Sequence, residues 1–293
     1  MMPVVARTRL GLDAARRPLG CPVVLVPTMG ALHHGHRVLL RRARDLAGPD
    51  GSVLVSIFVN PLQFGEAADL ERYPRTLDDD VRVCAGEHAD LVFAPDRSVM
   101  YPRPQLITVD PGPLGQRLEG ESRPGHFAGV LTVVLKLFQL TAPDGAVFGE
   151  KDAQQLALIR RMTADFDLGI EITGVPTVRD DDGLAISSRN RFLSGPERHT
   201  ALLLPAALRA GREGAPGGPG AVLKAAGEVL SQAAGPPLQL DYLALVDAET
   251  FQPAVDDFTG EARLLVAARV GATRLIDNTP LRLGAPESVI QTD

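Results

Sequence analysis

A stretch near the start of the chain, residues 23–47, changes its hydrophobic pattern abruptly and so constrains the fold. Val23–Val26 is a continuous apolar run with the length of a buried strand, and Pro27 to Gly30 ends it. From Gly35 onward the apolar residues take the spacing of one helix face: Leu39, Leu40, Ala43, Leu46 and Ala47. The opposite face carries Arg37, Arg41 and Arg44 and is expected to face solvent. The pattern predicts a strand, a turn and a helix, the unit that binds ligands beyond the carboxyl end of its strand in open α/β sheets.

Three histidines, His33, His34 and His36, lie at the predicted turn and helix start. They could be polar surface residues at an ordinary glycine turn. A metal site is disfavoured, because the i, i+1, i+3 spacing cannot aim three imidazoles at one ion and no cysteine or carboxylate is close in sequence. The third interpretation is a nucleotide-phosphate site, where imidazoles and helix N–H groups stabilise charge on a phosphorus under attack. Neither GxxxxGK[ST] nor GxGxxG occurs, so the common phosphate loops are absent.

The alternation of strands and helices continues along the chain. Strands are predicted at Ser52–Val59 and Ala89–Phe93, and between them a helix capped by Thr76 runs through Val81 to Glu87. Its first turn contains Asp78, Asp79 and Asp80, which either complement the helix dipole or supply one carboxylate to Mg²⁺. This β-α-β-α-β series predicts a parallel sheet of the kind that binds a mononucleotide.

A second strand–turn–helix unit repeats the opening pattern at Ala146–Phe148, Gly149–Asp152 and Ala153–Phe166. Lys151 then lies at a second strand end. It is either a helix-surface lysine or a ligand for an anion, since a lysine near a helix N-terminus opposes the dipole unless a negative charge is bound. A further strand is predicted at Ile170–Val178.

The last third of the chain predicts a smaller unit that begins with an exposed turn at Arg179–Gly183. Ser194, with Glu197 three residues later, predicts a capped helix that reaches about Ala210. Gly211–Gly220 is expected to be a flexible loop because it is rich in glycine and proline and has no periodicity.

Another helix and two β-rich segments, Leu238–Val246 and Ala262–Leu275, complete this unit. The predicted fold class is therefore α/β, with a Rossmann-like parallel sheet and nucleotide site in residues 1–182 and a smaller C-terminal α+β domain in residues 183–293.

Composition favours a small-molecule ligand over nucleic acid or membrane. The 293 residues are 45% hydrophobic, enough for a sizeable core, and the formal net charge of −6 comes without a long basic run. The most apolar segment, Phe127–Leu140, is too short to span a bilayer and contains Lys136. Cys21 and Cys84 are expected to be reduced, and no signal-peptide pattern is seen, which points to the cytoplasm.

Several longer motifs resemble one enzyme family. The segment TMGALHHGH at Thr28–His36 resembles the HxGH signature of nucleotidyltransferases related to class I aminoacyl-tRNA synthetases, and PTMGALHxGH is similar to the pantothenate synthetase family in particular. Other similar segments follow in the family's order: FVNPLQF at Phe58–Phe64, YPRTLDDD at Tyr73–Asp80, RPGHFAGV at Arg123–Val130, FGEKDAQQ at Phe148–Gln155 and SSRNRFLS at Ser187–Ser194. The resemblance covers most of the chain up to about residue 195.

The resemblance implies ATP-dependent condensation of (R)-pantoate with β-alanine to pantothenate, AMP and pyrophosphate, through a pantoyl-adenylate and with Mg²⁺. It also implies a homodimer. His36 takes the role of proton donor or charge stabiliser, with His33 and Lys151 as further catalytic residues. Gln63 and Gln155 match pantoate-binding positions, and Gln63 should also contact β-alanine. No protein metal ligand is predicted.

The ATP-binding positions implied by the family are Met29, Gly30, Ala31, Leu32, His33, His34, Gly35, His36, Gly149, Glu150, Lys151, Asp152, Val178, Ile186, Ser187, Ser188 and Arg189. The last four correspond to a KMSKS-like loop carried by the smaller, lid-like domain, and Ile186 stands where the family usually has Met or Leu. Weaker candidates for the pocket wall are Asn60, Tyr73, Arg123 and His126. Two alternatives stay open: a related HxGH nucleotidyltransferase that keeps the nucleotide on its product, and a non-catalytic nucleotide-binding module.

Overall fold

The computed structural model describes residues 2–65, 67–233 and 238–284. The chain divides into two compact units, Met1–Val178 and Arg179–Asp293. The domain ranges 1–182 and 183–293 inferred from the sequence stay a prediction.

The first unit is built on a six-stranded sheet in which all strands are parallel, so the α/β prediction is confirmed. Its strands are β1 Val4–Ala6, β2 Val23–Thr28, β3 Ser52–Ile57, β4 Leu91–Phe93, β5 Gly145–Gly149 and β6 Glu171–Val175. Their order in the sheet is β1-β4-β3-β2-β5-β6. The sequence did not predict β1, which pairs with β4 at one edge of the sheet.

Helices cover both faces of this sheet. They are α1 Arg9–Arg16, α2 His34–Ala47, α3 Ala67–Arg72, α4 Leu77–Gly86, α5 Arg97–Met100, α6 Glu119–Ser122, α7 His126–Thr141 and α8 Ala153–Asp165. Alternate residues of β2 belong to different cores: Val23 and Leu25 pack with α7, whereas Val24 and Val26 pack with α2 and α4. A strand buried on both faces needs apolar residues at every position, which explains the continuous run in the sequence.

In the second unit, residues 179–233 and 238–284 form three α-helices and an antiparallel three-stranded sheet. Its elements are α9 Gly195–Ala201, α10 Leu203–Glu213, α11 Gly218–Leu230, β7 Leu238–Asp247, β8 Gly260–Val270 and β9 Thr273–Leu283. The predicted cap of α9 is present, because Ser194 and Glu197 form reciprocal side-chain to backbone hydrogen bonds. The β-rich segment predicted at 262–275 spans the turn between β8 and β9.

The prediction of a flexible loop at Gly211–Gly220 is wrong. Helix α10 continues to Glu213, a single 3₁₀ turn follows, and α11 begins at Gly218. Gly211 and Pro219 are buried. A Cβ atom at Gly211 would overlap the Leu264 side chain, so this glycine permits close helix–sheet packing. Composition alone could not distinguish that use of glycine from chain flexibility.

Within the residues that the structure describes, no helix combines the length and the hydropathy needed to cross a membrane.

Candidate active site

The site lies where the order of the sheet changes direction. From β2 the chain moves to β3 and then β4 on one side, whereas β5 and β6 lie on the other side of β2. Such a switch point leaves a crevice beyond the carboxyl ends of the two central strands. The turn after β2 carries Met29–His36, and the turn after the neighbouring β5 carries Gly149–Asp152. Val178 follows β6, the next strand, so the predicted nucleotide residues of this unit share one edge of the sheet.

His33 and His36 form the start of α2. The helix begins at His34 with His33 as its N-cap, and the His33 backbone N–H donates a hydrogen bond to His36 Nδ1 at 3.2 Å. The two ring centroids are 4.1 Å apart. Because Nδ1 accepts this bond, the proton of the neutral ring lies on Nε2, which is therefore a donor.

The environment of His36 favours the neutral ring. Burial, followed by the proximity of His33, lowers the pKa of His36 from 6.5 to about 3. An imidazole in this state carries no positive charge near neutral pH, but it can donate one hydrogen bond through Nε2. It is thus suited to stabilise charge on a phosphate oxygen by donation.

The turn between β2 and α2 has an unusual backbone. Gly30 and Ala31 both have positive φ, 83° and 51°. The Thr28 hydroxyl accepts the Gly30 N–H at 3.2 Å and donates to the Ser56 carbonyl oxygen at 2.8 Å. Asp80, from the first turn of α4, accepts the backbone N–H groups of the next two residues, 31 and 32. The turn is therefore held by polar groups from β3 and α4.

Gln63 lies in a 3₁₀ turn, Pro61–Gln63, after the carboxyl end of β3. Its amide nitrogen donates to the thioether sulfur of Met29 at 3.0 Å, and its amide oxygen accepts from Asn60 at 3.1 Å. Asn60 is itself buried and accepts a hydrogen bond from the Tyr101 hydroxyl at 2.8 Å. The structure thus brings Gln63 next to the predicted nucleotide turn at Met29.

His126 and Arg123 lie against the same 3₁₀ turn. His126 Nδ1 is 2.9 Å from the Gln63 carbonyl oxygen and therefore donates to it. Its Nε2 is then the acceptor for Arg123 Nη1, at 3.1 Å. Burial, together with the charge of Arg123, lowers the pKa of His126 to about 4. A neutral His126 thus links a guanidinium to the segment that carries Gln63.

The two glutamines that begin α8 have different surroundings. Gln154 is buried, and its amide group bonds the backbone of Leu114, Arg117 and Glu119. Gln155 is only partly buried and follows the turn that carries Lys151. The amide of Gln154 is therefore used in structural hydrogen bonds, which leaves Gln155 as the glutamine suited to contact a ligand.

The segment predicted to form a KMSKS-like loop, Ile186–Arg189, belongs to the second unit. The Ser187 hydroxyl accepts the Arg189 N–H at 3.2 Å and starts a 3₁₀ turn, and Arg189 is exposed. The preceding turn, Arg179–Gly183, is exposed at Asp181 and Asp182, in line with the prediction, and it is also anchored by ion pairs. Arg179 pairs with the buried Asp277, and Arg198 pairs with both Asp180 and Asp182.

Comparison with known proteins identifies the family of the chain. The family model described as pantoate-beta-alanine ligase matches residues 4–280. The chain belongs to this family. Pantothenate synthetases of Thermobifida fusca and Streptomyces avermitilis are 59% and 52% identical to it, over 96% and 89% of this chain and 96% and 93% of their own.

Solved structures agree with this assignment. A pantothenate synthetase from Thermus thermophilus has a TM-score of 0.85 and 45% identity, over 94% of this chain and 98% of its own. A pantoate-beta-alanine ligase from Francisella tularensis, complexed with beta-gamma ATP and beta-alanine, has a TM-score of 0.77 and 33% identity, over 94% and 97%. The chain is therefore a ligase, and its similarity to these enzymes supports pantoate and β-alanine as the molecules it joins.

Within this pantoate–β-alanine ligase family member, the arginine face of α2 is partly exposed, as the sequence predicted, and it also makes ion pairs that the sequence did not predict. The arginines expected to be solvated are held by carboxylates: Arg37 and Arg41 pair with the buried Glu87, and Arg44 pairs with Asp90. These contacts fasten α2 to the end of α4 and the start of β4, because Glu87 and Asp90 lie between those elements. The sequence shows only helical spacing and gives no sign of the partners.

Two polar residues near the candidate site make contacts that the sequence did not predict. Tyr101 donates a hydrogen bond to Asn60 and directly follows the four-residue helix α5. So short a helix shows no hydrophobic periodicity in the sequence that could have indicated this contact. Asp80 was assigned only to the helix end or to magnesium. It shares the inward face of α4 with Leu77 and Cys84, at i−3 and i+4, and an aspartate on such a face is a sign of a buried polar contact.

Proposed function

We propose that this ligase uses ATP to activate pantoate as a pantoyl-adenylate, which then reacts with β-alanine to give pantothenate and AMP. An amine cannot displace oxide from a carboxylate, so activation comes first. One oxygen of the pantoate carboxylate attacks the α-phosphorus of ATP, and the bond from that phosphorus to the β-phosphate oxygen breaks, releasing pyrophosphate. The β-alanine amine then attacks the acyl carbon, loses a proton, and AMP departs.

Strands β2 and β5 are neighbours, so the turns that follow them lie at the same edge, at the switch point of the sheet. This observation carries the proposal. The N-terminus of α2 is attractive to negative charge. We propose that His36 Nε2–H and His33 donate hydrogen bonds to the phosphate oxygens that gain charge during attack. Lys151, in the turn after β5, supplies a positive charge to the same phosphates.

The remaining nucleotide contacts stay predictions from the family resemblance. They comprise the backbone of Met29–His36 and Gly149–Asp152, Val178, and the donors of the Ile186–Arg189 loop. The two serine hydroxyls and the guanidinium of that loop suit triphosphate oxygens. The anchoring of the preceding turn by Arg179 and Arg198 supports a loop with a defined base.

We propose Gln63 and Gln155 as the pantoate ligands, since each amide can donate and accept and pantoate offers hydroxyls and a carboxylate. Gln63 also contacts β-alanine. Arg123 lies against the Gln63 backbone at 3.4 Å and is the cation that suits the β-alanine carboxylate. The contact of Gln63 with Met29 supports this arrangement, because it links the acid site to the nucleotide turn.

Magnesium is proposed to enter with ATP. Among the residues that the structure describes, no group of three or more His, Cys, Asp and Glu side chains could hold a metal ion. Mg²⁺ usually binds through substrate phosphates, water and one or two carboxylates, and such a site needs no larger cluster of protein ligands. Bound there, the ion would neutralise charge on the departing pyrophosphate. A homodimer in the cytoplasm is likewise a proposal from the resemblance.

The decisive experiment is isotope exchange. An adenylate forms before the amine is needed, and its formation must run backward with pyrophosphate. Labelled pyrophosphate should therefore enter ATP in the presence of pantoate and Mg²⁺ and without β-alanine. Exchange that requires β-alanine, or that ignores pantoate, would refute the two-step reaction. Exchange with a phosphate acceptor instead would identify a nucleotidyltransferase, and ATP binding without exchange would identify a binding module.

A further inference from the structure

The turn before α2 adopts a conformation that the chain does not favour by itself. Gly30 and Ala31 are consecutive residues with φ of 83° and 51°. Glycine takes this region freely, but an alanine in the left-handed region is strained and persists only where its surroundings hold it there. A group that holds Ala31 therefore controls the path by which the chain enters α2.

Asp80 is that group. Asp80 is 2% exposed, and its carboxylate Oδ1 accepts the Leu32 N–H at 2.7 Å while Oδ2 accepts the Ala31 N–H at 3.1 Å. The Thr76 hydroxyl donates to the same carboxylate at 3.3 and 3.4 Å. A Cβ at Gly30 would lie 2.9 Å from Asp80 Oδ2, so the turn closes tightly on this side chain.

The next residue along the chain is His33, the N-cap of α2, whose N–H orients the His36 ring. We propose that Asp80 is a positioning residue for adenylate formation, because its carboxylate holds the turn at residues 30–32 and thereby places both histidines. Asp80 acts through the backbone and touches no reacting atom. This inference rests on the proposed function of His33 and His36.

Only a carboxylate suits this place. Two N–H groups converge on it, and each needs an acceptor. Asparagine has nearly the same shape but offers one acceptor oxygen, and its NH₂ group would face the second N–H. Asp80→Asn therefore breaks one of the two backbone contacts without leaving a cavity, and the turn can relax. A displacement of about 1 Å at a reacting group can cost about a hundredfold in rate.

The test is a double-mutant cycle of Asp80→Asn with Ala31→Gly, read by pantoate-dependent pyrophosphate exchange and thermal unfolding. Glycine removes the strain at position 31, so the double variant should keep its turn better than Asp80→Asn alone. We expect Asp80→Asn to lower the exchange kcat at least about tenfold with a smaller change in the KM for ATP. In the Ala31→Gly background the same substitution should cost at least about threefold less.

Asp78→Asn is the matched control. Asp78 lies in the same first turn of α4 but is exposed, so its substitution removes the same charge and the same helix-end interaction. Its exchange kcat should stay within about twofold of the parent's, as expected for a surface substitution.

Each outcome decides the inference. It is overturned if Asp80→Asn exchanges as fast as Asp78→Asn, or if Asp80→Asn costs the same factor with and without Ala31→Gly. If Asp80→Asn does not fold, the test compares the double variant, Asp80→Asn with Ala31→Gly, with the single variant Ala31→Gly. Equal pyrophosphate-exchange rates for these two overturn the inference. If the parent itself shows no pantoate-dependent exchange, the proposed function has failed, which is a distinct result.

Discussion

His36→Asn should slow adenylate formation about a hundredfold while leaving the fold nearly unchanged. The two ring nitrogens of His36 have separate roles, since Nδ1 accepts the His33 N–H and Nε2 carries the proton. The asparagine side-chain oxygen occupies the place of Nδ1 and can accept the same N–H. Nothing in asparagine reaches the place of Nε2. The substitution therefore removes the proposed phosphate donor and keeps the start of α2.

The magnitude follows from these two roles. Loss of one preorganised donor to a developing charge costs about 3 kcal/mol, or roughly a hundredfold in rate. Loss of the helix-start hydrogen bond costs about 1 kcal/mol of stability, which is about 2 to 4 °C in Tm for a chain of this size. His36→Asn should show the first effect alone, whereas His36→Ala should show both.

The assay is pyrophosphate exchange at saturating ATP and pantoate, with Tm measured on the same samples. His36→Gln is the matched control, because its amide nitrogen reaches the place of Nε2 and can donate there. We expect it to keep more of the exchange rate than His36→Asn. The reasoning would be refuted if His36→Asn exchanged within a factor of two of the parent, or if its loss of rate were matched by the loss in His36→Gln.

Three further predictions concern stability and packing. Gly129→Ala should raise the KM for pantoate, because a Cβ there would overlap the carbonyl of Leu62, the residue before the proposed pantoate ligand Gln63. Steady-state kinetics with ATP and pantoate varied in turn should show a nearly unchanged KM for ATP. Glu87→Gln should lower the free energy of unfolding at pH 7, since Arg37 and the exposed Arg41 lose their carboxylate partner. The pKa of Glu87 is lowered in the folded state, chiefly by its hydrogen bond with Arg41, so the difference in free energy of unfolding between parent and variant should shrink as acid protonates Glu87. Urea unfolding at pH 7 and pH 3 measures this difference, and equal values at the two pH values would contradict the prediction. Burial lowers the pKa of His126 from 6.5 to about 4, so on acidification the unfolded chain binds this proton before the folded chain does. As the pH falls from 6.5 to 4, the free energy of unfolding of the parent should decrease by up to about 1.4 kcal/mol per pH unit. His126→Asn should lack this slope, which urea unfolding across that pH range would measure.

Local patterns predicted the part of the fold that depends on neighbouring residues. The change from a continuous apolar run to helical spacing predicted β2 and α2, and the same pattern predicted β5 and α8. The capping pair at Ser194 and Glu197 was predicted correctly because both of its hydrogen bonds join residues three apart. Gly211–Gly220 was mispredicted because a glycine needed for close packing and a glycine in a flexible loop look alike in sequence.

The sequence by itself determined the α/β class, the positions of the two strand-end turns, and the TMGALHHGH segment on which the resemblance to the family rests. Each of these depends on residue types at short separations along the chain. Only the tertiary structure decided that β2 and β5 are neighbours, which puts both turns at one crevice.

The tertiary structure also decided which groups act on those turns. Asp80 meets the amides of residues 31 and 32 across nearly fifty positions of sequence, and Glu87 meets Arg37 and Arg41 across a similar span. The proton position on His36 depends on a single backbone hydrogen bond, and its lowered pKa depends on burial. Hydrogen bonding and desolvation depend on which atoms the fold brings within about 3 Å, and residue spacing along a chain does not encode that distance.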